Sequence, residues 1–164
     1  MTDKNYQKKF TLLKSLRLLF GRIFGRRIHF SKIYIGKIFT MQDQKQFIVF
    51  RDLKVEPEKN EEKFKAVFKV RFKFSGLPLS VNKCLSMIPA PFLLANPGFR
   101  QKIWGASKDG YFQGLYQWAT KEYAETYPNV FIFKLMTKRA ANGTVSYEVI
   151  PDTLLSEYVE TLLN

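Results

Sequence analysis

The chain has almost none of the residues from which most metal and nucleophile sites are made. It holds one cysteine, Cys84, and one histidine, His29, so it has no internal disulfide and no Cys/His set with metal-ligand spacing. No metal or cofactor is expected from the pattern, and a reducing, cytoplasmic setting is the simpler one. Long apolar runs are missing too. The best candidate, around Leu12 to Ile28, is interrupted by Lys14, Arg17, Arg22, Arg26 and Arg27, which breaks both a membrane span and the apolar centre of a secretory signal. There is no phosphate-cradling Walker loop, no G-x-S-x-G elbow, no H-E-x-x-H and no Rossmann glycine pattern. Acids are scarce, 14 against 27 Lys and Arg, for a net charge of +13.

What is present is aromatic and basic. With 164 residues, 46% of them hydrophobic, and 16 Phe and 8 Tyr, the chain can bury the core of one domain. The charge is uneven: residues 1–40 hold ten Lys and Arg against Asp3 alone, or +9, and the rest of the chain supplies the remaining +4. This divides the chain into a basic N-terminal arm, 1–40, and a domain, 41–164, with its core at 64–151.

On a wheel of 100° per residue, Leu12, Leu13, Leu16, Leu19, Phe20, Ile23 and Phe24 share one arc of the arm. Lys14, Arg17, Arg22 and Arg26 lie opposite, and Leu18 is the exception. Such a helix suits an anionic membrane surface, with apolar side chains in the acyl region and cations at phosphates, giving a peripheral location. The favoured reading is that the same stripe packs on the domain or in a dimer, with the basic side facing water; nucleic acid is the least favoured partner of the arm. His29 reads as a solvated or interfacial residue.

In the domain, residues 32–40 and 47–55 suggest a hairpin, and 56–62, rich in acid, an exposed loop. From Phe64 the alternation is strict: Phe64, Ala66, Phe68, Val70, Phe72 and Phe74 on one side, Lys65, Val67, Lys69, Arg71 and Lys73 on the other. A helix is expected from Pro78, broken by Pro89 and Pro91. Two strands follow, 99–107 and 111–119, around the hairpin signal Asp109-Gly110. Thr120 caps a further helix that resumes after Pro128, and 145–149 form a last strand ahead of a C-terminal helix. The order from residue 64 is β, α, β, β, α, β, an α+β, ferredoxin-like arrangement of four antiparallel strands with helices on one face. If the phenylalanines meet the helices, the other face carries Lys65, Lys69, Arg71 and Lys73, with Arg100 and Lys102 from neighbouring strands. An RNA-binding sheet is one reading of that face, although Lys alternating with Phe is also an ordinary half-buried strand, and nucleic acid is the less favoured partner.

The stretch Asn96-Pro97-Gly98-Phe99-Arg100-Gln101-Lys102-Ile103-Trp104, then Gly114-Leu115-Tyr116-Gln117-Trp118 and a helix with Glu122, Tyr123, Ala124 and Tyr127, resembles the YdhR-type mono-oxygenase family of the dimeric α+β barrel superfamily. The resemblance implies a homodimer with sheets packed together and, in each subunit, an apolar pocket between sheet and helices for a small apolar or aromatic ligand. It also implies oxygenation without metal or cofactor. Candidate catalytic residues are then Arg100 and Lys102, which would stabilise an anion; Asn96, Trp104, Tyr116 and Trp118 are candidate substrate-binding residues. Trp104 and Trp118 also make sense as core, and Arg100 and Lys102 as a solvated strand face. A non-catalytic binding or scaffold module, held at a membrane by Lys14, Arg17, Arg22 and Arg26, is the alternative. Cys84 reads as a small buried thiol.

Overall fold

The computed structural model describes residues 12–56 and 65–163, with side chains from Leu16 onward. Phe64 and most of the acidic loop lie outside the described residues. The elements run α1 (Leu12–Phe24), β1 (Ile28–Phe30), β2 (Ile38–Thr40), β3 (Gln46–Val55), β4 (Ala66–Lys73), α2 (Leu79–Leu85), α3 (Ala90–Leu94), β5 (Phe99–Ala106) and β6 (Tyr111–Trp118). They continue with α4 (Lys121–Thr126), a 3-10 turn (Tyr127–Asn129), α5 (Phe131–Lys138), β7 (Ser146–Pro151) and α6 (Leu155–Glu160).

The sheet order is β1-β3-β5-β6-β4-β7, with β2 also paired to β3, and every pairing is antiparallel. Strands β4, β5, β6 and β7, with α2–α3 and α4–α5 as the two crossovers, form the split βαβ core in the order second, third, first, fourth. This is the ferredoxin-like arrangement. The expected four strands are seven, because β3 pairs with the outer edge of β5 and brings β1 and β2 with it. The sheet therefore draws on residues before 41, Ile28–Phe30 and Ile38–Thr40. An unpaired β5 edge would leave a row of backbone donors and acceptors exposed, and β3 satisfies it over most of its length.

Strand alternation sorts the sheet into two faces. Leu53, Ala66, Phe68, Val70, Phe72, Trp104, Phe112, Tyr116 and Trp118 pack with Leu93, Tyr127, Ile132 and Phe133 from the helical side. Phe68 is the centre of this layer, with the rings of Tyr116, Tyr127, Phe133 and Tyr147 all 5.2–5.8 Å away.

The other face is not bare. Val67, Ile103 and Leu115 pack in one cluster with Phe39, Met41, Phe47 and Val49 of the hairpin and with Leu155, Tyr158, Val159 and Leu162 of the α6 segment. Gln117 ties α6 down: its Oε1 accepts from the Leu155 N–H at 2.5 Å, and its Nε2 donates to the Ala66 carbonyl at 3.0 Å. Helices on one face only is thus corrected, since α6 covers the second. Lys65, Lys69 and Arg71 do lie on this side, paired with Glu157, Glu148 and Asp43. The Arg71 guanidinium holds the Asp43 carboxyl down to about 2. Lys102, placed on this face by expectation, is on the helical one, because it pairs with Leu53 and Tyr116 in the register, while Arg100 falls at the bulge between Phe99 and Gln101.

Candidate functional site

A pocket of about 160 Å³ opens between the sheet and the helices. Phe72, Trp104, Phe112 and Tyr116 form its sheet wall, Leu85 to Pro89 one side, and Ile132, Leu135 and Met136 of α5 the other. The apolar lining follows from the strand period, which sends every second residue of β4, β5 and β6 to the same face. Gly114 makes the room. A Cβ there would meet Tyr116 Cε2 at 2.7 Å and Val70 Cγ1 at 3.2 Å, so only glycine lets the Tyr116 ring lie back along its own strand.

Lys102 is the polar member. Its side chain is carried inward by β5, the residue is 3% exposed, and it lines the pocket. The ammonium nitrogen lies 4.4 Å from the Trp104 ring centre and 4.5 Å from that of Tyr116. No carboxylate meets it among the described residues, so the ring faces are its electrostatic partners. Burial pushes its pKa well down, and the Arg51 charge pushes in the same direction. The Arg51 guanidinium also lies over the indole, 5.7 Å from the Trp104 ring, and donates to Ser86 Oγ at 2.6 Å.

Two hydrogen-bonding groups complete the wall. The Trp104 indole N–H is buried without an acceptor among the described residues. Burial first, and Tyr127 beside it second, push the Tyr116 phenol well above its ordinary pKa, which keeps it protonated. The site therefore offers an amine that readily becomes neutral, an indole donor and a phenol, all set in aromatic surface.

Of the six residues expected at the site, Lys102, Trp104 and Tyr116 come together here. The other three do not. Arg100 donates to the Pro97 carbonyl at 2.6 Å and the Phe99 carbonyl at 2.7 Å, pinning the turn ahead of β5. Asn96 works in that same turn, where its Oδ1 accepts from the Gly98 N–H at 3.2 Å. Trp118 is fully buried against Phe99 and Tyr127 and is core. Arg51, Phe112 and the α5 residues escaped sequence reasoning, because no local pattern says which helix roofs which strand. Cys84, expected to be buried, is exposed on α2.

The sequence matches no protein-family model and no curated protein. Among solved structures it is similar to an anthrone oxidase-like protein, at 17% identity and a TM-score of 0.46 over 65% of this chain. This chain spans about half the length of that protein, 54%. It is also similar to a ferredoxin-fold protein from Listeria monocytogenes described as related to antibiotic biosynthesis monooxygenases, at 9% identity and a TM-score of 0.49, covering 78% of this chain and 93% of the other. A monooxygenase-like protein from Listeria innocua gives 11% identity and 0.47, covering 85% and 88%. The ferredoxin-like assignment rests on the strand order of the chain itself.

Proposed function

We propose that the protein binds a small apolar or aromatic molecule bearing an acidic hydroxyl, with Lys102 as its base and counter-ion. The observation that carries this reading is a buried lysine with no acidic partner among the described residues, lining an aromatic pocket. A cation held in low dielectric without an anion is costly, and a neutral amine there is a ready proton acceptor. A phenol or enol entering the pocket gives its proton to Lys102 and leaves an ammonium beside an oxyanion. The pair then satisfies both charges, with the Trp104 indole N–H and the Tyr116 hydroxyl as further donors.

The resemblance of residues 96–104 and 114–118 to the YdhR-type family extends the reading to cofactor-independent mono-oxygenation. An aryl oxide or enolate is electron-rich enough to react with dioxygen. A methylene conjugated with it becomes a carbonyl, one oxygen atom entering the product and the other leaving as water. Non-catalytic binding is the same pocket without this second step, and oxygen uptake separates the two.

The test is calorimetric titration with 1-naphthol and with naphthalene. The naphthol is expected to bind at least tenfold more weakly to Lys102→Met than to the parent chain, while naphthalene binding is unchanged or improved. Equal naphthol affinity for both chains would remove Lys102 from the reading, and no binding of either compound would remove the pocket. An oxygen electrode with hydroquinone-type substrates then decides the oxygenase step.

A further inference from the structure

Helix α1 is mounted with its apolar side outward. Arg22, from the side expected to meet water, is only 3% exposed. Its Nη1 donates to the carbonyls of Leu94 at 2.7 Å and Asn96 at 2.8 Å, and its Nη2 to that of Pro97 at 3.1 Å. These are carbonyls at and just past the end of α3, where no further turn of helix supplies donors. Three bonds from one planar guanidinium fix the rotation of α1 about its axis. Leu18 and Leu19 are half-buried on this inward side, which accounts for the position of Leu18 outside the apolar arc.

Of that arc, Leu16, Phe20, Ile23 and Phe24 face away. Phe24 is 80% exposed, Phe20 51% and Ile23 49%, with Leu16 beside them, and the Phe20 and Phe24 rings stack 6.0 Å apart. Arg17 and Arg26 are exposed on the same helix and the turn after it. Phe92 of α3, the helix that α1 contacts, is exposed as well. No described residue covers the stripe. Water alone would favour the opposite rotation, with Arg22 solvated and the phenylalanines against the domain.

We propose that this stripe inserts into the interfacial region of an anionic lipid bilayer, with α1 lying in the membrane plane. Charge selects the occupant. Residues 1–40 carry +9, so a second copy of the chain on this face would bring two such segments together, whereas an anionic leaflet is complementary to them. Nucleic acid meets the charge but gives the phenylalanines nothing to enter, and a bilayer meets both demands. No helix among the described residues is long and apolar enough to cross a membrane, so contact is in the plane.

The experiment uses the full chain, sedimented with phosphatidylcholine vesicles alone or with phosphatidylserine added. Binding to the anionic vesicles at least tenfold tighter than to the neutral ones is expected. The variant Phe20→Glu/Phe24→Glu is expected to lose at least tenfold of it, with its circular dichroism unchanged because both side chains are already exposed. Phe131→Glu, which alters an equally exposed phenylalanine on α5, should bind as the parent does. Absence of binding to anionic vesicles, equal binding to both kinds, or retention of binding by the double variant would overturn the proposal. So would light scattering that shows a dimer dissolved by the double variant alongside absent vesicle binding, which assigns the stripe to a second copy.

Discussion

At the scale of single residues, Lys102 contributes a pH dependence to the fold on the alkaline side. Its pKa in the folded chain is well below the ordinary 10.5, so between the two values the unfolded chain holds a proton that the folded chain lacks. Unfolding is then opposed more strongly as pH rises through that window, and the full cost of the buried charge is felt below it. Thermal unfolding should show stability that climbs from the acid side toward pH 10 in the parent chain and climbs less in Lys102→Met. That variant should also be more stable at neutral pH, by about 1–3 kcal/mol, because a methionine needs no desolvation of charge. Equal slopes for the two chains would mean that Lys102 is solvated. A second residue-scale prediction concerns Arg22, which satisfies three carbonyls from a buried position. Arg22→Ala should cost about 1–3 kcal/mol and raise the protease sensitivity of α1. The two lysine and arginine roles were unequally legible. Lys102, Trp104 and Tyr116 are named by the resemblance of residues 96–104 and 114–118, whereas strand alternation alone put Lys102 on the opposite face of the sheet. Arg22, placed on a water- or lipid-facing side by the wheel, could not be found, since periodicity says which residues share a side and nothing about which way that side turns.

At the scale of elements, the boundaries follow local chemistry and the docking follows contacts distant in sequence. Asp109-Gly110 placed the β5–β6 hairpin to within a residue, and Gly110 has the expected positive φ of 88°. Thr120 caps α4 as anticipated, its hydroxyl accepting from the Tyr123 N–H at 3.4 Å. What local pattern does not reveal is how closely α4 sits on the start of β5. A Cβ at Gly98 would fall 2.2 Å from Tyr123 Cγ and 2.7 Å from its Cβ. Gly98→Ala must therefore displace α4 or the turn before β5, and a loss of about 1–3 kcal/mol is expected in denaturant unfolding. Because the Tyr123 Cβ is itself too close, Gly98→Ala/Tyr123→Ala should recover only part of the loss. Full recovery would show that the ring alone made the conflict. The turn of Asn96, Pro97 and Gly98 is thus a joint where α1, α4 and β5 meet, which gives a structural reason for a segment that resembles a family motif.

For the whole molecule, the decisive feature is what covers the second face of the sheet. The family resemblance implies that two subunits join sheet to sheet, and here the chain lays its own α6 over Val67 and Leu115, in one cluster with Phe39 and Phe47 of the hairpin that extends the sheet. The strand order could be worked out from the sequence because βαββαβ leaves few antiparallel solutions, but the extra cover could not, since a C-terminal helix is expected there and nothing local says which face it docks on. Leu155, Val159 and Leu162 are buried at its underside, and truncation after Pro151 would uncover apolar surface continuous with Phe39, Phe47 and Val67. A patch of that kind on a free sheet face favours association. The truncated chain should accordingly form dimers or larger species in light scattering, by a contact that high salt strengthens, because burial of apolar surface drives it. Substituting Val67→Asp in the truncated chain should abolish the added association. If the truncated chain keeps the mass of the full chain, α6 is a local clasp held by Gln117 and its removal exposes no surface that drives association.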